Sequence, residues 1–209
     1  STSTTPLTIS CQALTVTKVH SAAGVRLPAA RLIVRPPFRD PHHSATMVAL
    51  IGGGAPTMRP GELSCATHGV LFLDELGEFP PHVLDALRQP LEHGSIRVSR
   101  AASSVVLPAK VLLVAAMNPC PCGEANRPGQ CRCNDRERAR YRRRLSGPLL
   151  DRFDLRLDVS RPDTDRLLGG AAGESTRVVA IRVANARQRA RERGVGCNAE
   201  LVDAKLEAQ

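Results

Sequence analysis

This sequence predicts an α/β fold, a parallel sheet flanked by helices, and three observations lead there. Val70–Leu73 and Val111–Met117 are short apolar runs without alternation, the pattern of strands buried on both faces. Between them Val83, Leu84, Leu87 and Leu91 recur at helical spacing. The first apolar run closes on the acidic pair Asp74-Glu75, and the second ends at Asn118-Pro119. Buried strands with helices between them form α/β layers. A 42% hydrophobic content over 209 residues is enough to fill a core.

Taken in order, residues 1–12 are Ser/Thr-rich and are expected to form a disordered N-terminal segment. Residues 13–24 carry Leu14, Val16 and Val19 and close on Gly24, a short helix with a glycine stop. Residues 35–68 are rich in Pro, Gly and His and read as loops around one apolar segment, Ala45–Ile51. A strand is expected at 70–73 and a helix at 80–93, with Pro80 and Pro81 suited to its first turn. After Gly94, Ile96–Ser99 and Val105–Leu107 flank a polar turn, which predicts a hairpin over 95–107. The second buried strand, 111–117, leads into a cysteine loop at 118–134 and an Arg-rich stretch. Phe153, Leu155, Leu157 and Val159 alternate with polar residues, a strand with one wet face. These pieces make one core over 13–160. A polar, Gly-rich linker is expected at 161–176, and an Arg-rich helix with Val178, Val179, Ile181 and Val183 opens the segment 177–209.

Composition narrows the function classes. Aromatic residues are 2% of the chain, too few for a surface on which bases stack. The net charge is +9, and among 29 basic residues only Lys18, Lys110 and Lys205 are lysines. Such an excess suits a phosphate-rich partner. No run approaches the length of a membrane span and no charged-then-apolar start is visible, so the expected compartment is the cytoplasm, away from membranes. The sequence begins at Ser1 rather than Met and reads as a fragment or a processed product.

Four sets of residues carry chemistry. Asp74-Glu75 ends a buried strand, the place where open α/β sheets bind ligands. There Asp74 can hold Mg²⁺ through water while Glu75 polarises an attacking water; a strand closed by an acidic turn fits the residues equally well. Asn118 ends the next strand, either to orient a water near a phosphate or as a turn residue before Pro119. Arg152 can stabilise charge on a phosphate in transfer, or form a surface ion pair. Cys120, Cys122, Cys131 and Cys133 place four thiols within fourteen residues. Two close pairs joined by a Gly/Pro loop suit a Cys₄ zinc site, and reduced free thiols are the alternative. Beyond them, residues 136–144 hold six arginines in nine positions, for phosphate contact or as a solvated helix face.

Together the runs RPPFRDPHHSATMVALIGGG, RPGELSCATHGVLFLDEL, LDALRQPLEHGSIRVSRA, VAAMNPCPCG and SGPLLDRFD resemble the magnesium-chelatase-like AAA+ ATPases of the ComM/YifB type. The resemblance covers roughly residues 13–200, in the family's motif order. It implies an AAA+ P-loop NTPase core and rings, commonly hexamers, with ATP and Mg²⁺ between subunits. Asp74 and Glu75 correspond to Walker B, Asn118 to sensor 1, and Arg152 to an arginine finger. Residues 35–68 correspond to the helix-2 insert, 95–107 to a hairpin facing the ring's channel and nucleic acid, and 177–209 lead to the lid domain. The implied function is ATP-driven DNA remodelling, branch migration or helicase-like, linked to natural transformation. A magnesium chelatase ATPase subunit acting on a partner protein and a non-catalytic zinc-bearing nucleic-acid-binding module are the competing readings. One departure stands out. No Gly-x-x-x-x-Gly-Lys-[Ser/Thr] string occurs in these 209 residues, so the phosphate loop and sensor 2 are expected outside them and the chain alone is expected to be inactive.

Overall fold

The structure is a computed structural model that describes residues 6–25, 32–54, 58–100, 103–125, 129–159 and 173–194. Two compact units divide the chain, Ser1–Phe153 and Asp154–Gln209.

In the first unit, helix α1 spans Pro6–Ala22. Of the segment 1–12 expected to be disordered, residues 1–5 lie outside the described residues and 6–12 are helical. Ala13, Val16, Val19 and His20 are buried, and His20 Nε2 lies 2.8 Å from the carbonyl of Cys65. The segment read as loops is more structured than its Pro and Gly content suggests. It holds strand β1 (Phe38–Arg39), helix α2 (Met47–Ile51), the short antiparallel strands β2 (Gly52–Gly53) and β3 (Arg59–Pro60), and helix α3 (Glu62–Cys65). Thr46 caps α2 by accepting from the amide of Ala49. Arg39 and Glu62 form a two-pronged ion pair that ties β1 to α3.

Strand β4 (Val70–Leu73) is central in a parallel sheet of order β1-β4-β7, where β7 is Leu112–Ala115. Leu71 and Leu73 are buried, while Val70 and Phe72 are half-buried. The expectation of a second fully buried strand fails at β7. Leu112 is 60% exposed, because β7 is the edge of the sheet among the described residues.

Between β4 and β7 the expected helix 80–93 is two helices, α4 (Pro81–Asp85) and α5 (Arg88–His93). Pro90 explains the break. It has no N–H to return to Ala86, so it is tolerated only in the first turn of a new helix. Gly94, in the left-handed region at φ 63°, ends α5 by donating to the carbonyl of Pro90. The predicted hairpin follows, β5 (Ser95–Arg100) against β6 (Ser103–Pro108), antiparallel with Ser95 opposite Pro108. Beneath these elements Leu50, Leu63, Leu71, Leu73, Phe79, Val83, Leu84, Leu87 and Leu149 form one core. Burying each such side chain contributes roughly 1.5–3 kcal/mol.

Helices α6 (Asp135–Arg142) and α7 (Gly147–Leu150) complete the first unit. The expected strand Phe153–Val159, which runs from the last residue of the first unit into the start of the second, is not formed. Leu155, Leu157 and Val159 are more than 80% exposed, and no strand pairs with them among the described residues. Alternation favours a strand only when another strand accepts its hydrogen bonds. The expected linker lies largely outside the described residues. Helix α8 (Thr176–Glu192) is present, capped by Ser175. Among the described residues no helix is long and apolar enough to cross a membrane.

Candidate functional site

Register decides which side chains share the sheet's end. In the parallel β4–β7 pair, Leu73 stands opposite Ala115. Asp74-Glu75 and Met117-Asn118 therefore leave the sheet at the same carboxyl end. Two backbone bonds stitch the chains together beyond it. The amide of Ala116 donates to the carbonyl of Leu73 at 3.0 Å, and that of Leu76 donates to the carbonyl of Ala116 at 2.9 Å. Asp74, Glu75 and Asn118 are all exposed, while Leu73 and Leu76 beside them are buried.

Glu75 has left-handed backbone angles, φ 50° and ψ 45°. That region is unfavourable for a residue with a long side chain and is stored where surrounding bonds enforce it. Here the amide of Glu75 donates to Asp74 Oδ1 at 2.8 Å, and the amide of Glu78 donates to the carbonyl of Glu75 at 2.7 Å. A 3-10 turn over Leu76–Glu78 follows. Together these bonds turn the Glu75 side chain away from the strand direction.

One contact at this edge was not foreseen. His43 Nδ1 lies 2.8 Å from Glu75 Oε2. From the sequence, His42-His43 are either metal ligands or ordinary loop histidines; that His43 reaches Glu75 depends on β1 lying beside β4. The two imidazoles lie tilted by 34° with their centroids 4.0 Å apart, and His43 meets Phe79 edge-on at 6.5 Å.

Arg152 is elsewhere. It follows α7 and pairs with Glu92 of α5, Nη2 to Oε2 at 3.0 Å. These two side chains line a cavity of about 340 Å³ together with Asp85, Arg88 and Gln89, and none of Asp74, Glu75 or Asn118 lines it.

The four cysteines do converge. Cys120 Sγ is 3.4 Å from Cys122 Sγ and 3.8 Å from Cys131 Sγ, and Cys122 and Cys131 are 3.7 Å apart. All four sulfurs, Cys133 included, lie within 4.8 Å of one another, and none is in a disulfide. Zn–S bonds of about 2.3 Å in a tetrahedron give S···S edges of about 3.8 Å, so the spacing fits a Cys₄ centre. Cys120 is fully buried, and the other three are exposed or half-exposed. Backbone N–H groups of Glu124 and Arg132, with the thiols of Cys120 and Cys133, hold the Cys122 thiol down to about 6. Cys133 is pushed up to about 12, chiefly by its hydrogen bond with Cys122.

From Cys133 the chain passes directly into α6. Asn134 caps it with a reciprocal box: the amide of Glu137 donates to Asn134 Oδ1 at 2.8 Å, and the amide of Asn134 donates to Glu137 Oε2 at 2.9 Å. Arg144, just past α6, donates to the carbonyl of Gly77 at 2.7 Å and to Glu78 Oε2 at 3.0 Å. A cavity of about 430 Å³ opens between the loop and the helix, lined by Cys122, Cys133, Arg132, Arg140 and Glu78 among others.

Comparison with known proteins gives the family. The family described as magnesium chelatase, subunit ChlI, matches residues 3–167. The chain belongs to this magnesium-chelatase family. Within it the chain is of the ComM/YifB type. It is 49% identical over 166 residues to the uncharacterized protein YifB of Escherichia coli, which covers 79% of this chain and 32% of YifB. It is 49% identical over 172 residues to the competence protein ComM of Haemophilus influenzae, 82% of this chain and 33% of ComM. An uncharacterized protein of Mycobacterium tuberculosis is 47% identical over 194 residues, 91% of this chain and 38% of that protein. The chain thus spans about a third of the length of the curated relatives it matches. The three-stranded parallel sheet with flanking helices is part of a P-loop NTPase core.

Proposed function

We propose that this chain is the hydrolytic edge of a magnesium-chelatase-like AAA+ ATPase whose subunits form a ring and work on DNA. The observation that carries this reading is the meeting of Asp74, Glu75 and Asn118 at one carboxyl sheet end, with Glu75 turned out in a left-handed backbone. Exposed carboxylate oxygens suit a hard cation that keeps its waters, so the residues fit Mg²⁺-ATP. Asp74 would hold the cation, which supplies charge neutralisation at the phosphates when bound. Glu75 accepts a proton from the attacking water, and Asn118 donates toward the terminal phosphate. Arg152 serves a neighbouring subunit's nucleotide; its position by Glu92, away from its own acidic pair, supports action across a boundary.

Contact with DNA runs through phosphates, from arginines of α6 and of the β5–β6 hairpin such as Arg97. A relative's name, competence protein, agrees with a role in DNA uptake. The cysteine quartet holds Zn²⁺.

Magnesium-dependent ATP hydrolysis by the protein in its native length tests the reading. Glu75→Gln should lower turnover about 10²-fold or more with nucleotide still bound. Arg152→Ala and Glu75→Gln subunits, each inactive, should regain hydrolysis when mixed. Near-normal turnover by Glu75→Gln overturns the assignment.

A further inference from the structure

The cysteine loop and the Asp74-Glu75 edge are joined by two short paths. At the loop's start, Asn118 stands two residues before Cys120, and the chain turns back where the amide of Gly123 donates to the carbonyl of Cys120 at 3.0 Å. Gly123 comes to rest beside Asn118, so near that a β-carbon on Gly123 would lie 3.9 Å from Asn118 Oδ1. At the loop's end, Cys133 is followed at once by the capping box of α6. That helix carries Tyr141, 4% exposed, against Gly77. A β-carbon on Gly77 would be 2.4 Å from Tyr141 Cζ, so the position admits glycine only. Arg144 completes the grip through the Gly77 carbonyl and Glu78. Gly77 and Glu78 belong to the 3-10 turn whose first bond returns to the carbonyl of Glu75.

Burial does little to shape the loop. Among the described residues from 118 to 134, Cys120 alone is buried, and no helix or strand is formed. A segment without an apolar anchor keeps one shape only if something cross-links it.

We propose that the four thiols bind one Zn²⁺, and that the loaded loop is a brace. It sets Asn118 at one end and, through α6, Tyr141 and Arg144, holds the turn that keeps Glu75 left-handed at the other. On binding, each thiol releases its proton to solvent and each sulfur donates an electron pair to the metal; nothing is oxidised or reduced. Tyr141 and Arg144 are positioning residues. The effect on turnover rests on the hydrolysis reading above; the brace itself does not.

The test uses the native-length protein, with zinc read by elemental analysis and order read by amide hydrogen exchange. One zinc per chain is expected. Stripping it with a chelator under reducing conditions should speed exchange of the Leu76 and Glu78 amides about tenfold or more, while the β4–β7 ladder stays protected. Arg144→Met should do the same with zinc retained, whereas Arg144→Lys, which keeps a donor, and Tyr141→Phe, which keeps the ring, should stay close to wild type. In the hydrolysis assay, zinc removal should cut kcat about tenfold with KM for ATP within about twofold, the mark of positioning rather than binding. Absence of stoichiometric zinc overturns the proposal. So does zinc that can be removed without changing exchange at Leu76 and Glu78. A changed exchange in a protein that hydrolyses no ATP upholds the brace and overturns the hydrolysis reading instead.

Discussion

The β4–β7 edge and the cysteine loop sit side by side in the chain, yet different forces hold them. The edge is anchored from below. Leu71 and Leu73 of β4 are at most 1% exposed, and the acidic pair rides on that buried strand. Among its described residues the loop buries only Cys120, and on the brace proposal its remaining order depends on sulfurs that face one another. A site anchored by burial keeps its geometry in any solvent that leaves the fold intact. A site anchored by thiols keeps it only while those thiols are tied together, so the two regions should fail under different treatments.

The sharpest way to separate them is Leu73→Ala. The substitution opens a cavity directly beneath Asp74 and should cost about 2–5 kcal/mol of stability. Denaturant unfolding should show the loss whether or not metal is bound. Cys122→Ser, by contrast, should leave the unfolding midpoint of metal-free protein unchanged, since the thiol is exposed. An equal loss from both would mean the loop is also part of the core.

A smaller effect separates the cysteines from one another. In metal-free protein whose loop still makes the bonds from Glu124 and Arg132, Cys122 should alkylate first at pH 7, because those bonds hold its thiol down to about 6. Cys133 should be slowest, its proton held to about 12. The sign is definite: acidification below about 6 protonates Cys122 and abolishes its advantage, while raising the pH narrows the gap as the other thiols ionise. Mass spectrometry of partly alkylated protein reads the order. Bound zinc should protect all four, and indiscriminate alkylation of metal-free protein would show that the loop's shape, and the ranking with it, is lost without the metal.

The same contrast explains how far residues alone could be read. Val70–Leu73 is legible as a strand because four apolar residues in a row suit a central position, and β4 is central. The cysteine quartet is legible because ligand chemistry is local to its spacing. Phe153–Val159 misleads because its alternation is intact while its pairing partner is a tertiary fact. The helix 80–93 misleads because a lone Pro90 outweighs four well-placed apolar residues. Gly77 leaves no trace at all. Its backbone is not in the left-handed region, so turn chemistry does not mark it, and only the ring of Tyr141, 64 positions on, excludes a side chain there. His43 is visible as a histidine but not as a neighbour of Glu75, which needs the parallel register of β1 and β4.

That neighbour gives the finest test of the edge. His43 and Glu75 are 32% and 51% exposed, so water competes for both and their contact is worth at most about 1 kcal/mol. The backbone of Glu75 is fixed independently, by the amides of Leu76 and Glu78. Removing the imidazole should therefore release only the end of the Glu75 side chain, leaving its starting direction. On the hydrolysis reading, His43→Ala should lower kcat by about two- to fivefold, because the freed carboxylate spends less time in one orientation, with KM for ATP unchanged. His43→Asn can place a side-chain N–H near the position of Nδ1 and should recover most of the loss. Stability should move little in either variant, since neither side chain is part of the core. A loss of about 10²-fold in His43→Ala would give the imidazole a direct part in the chemistry. No change at all would show that the backbone bonds orient Glu75 unaided, and the edge would then owe its geometry wholly to the buried strand beneath it.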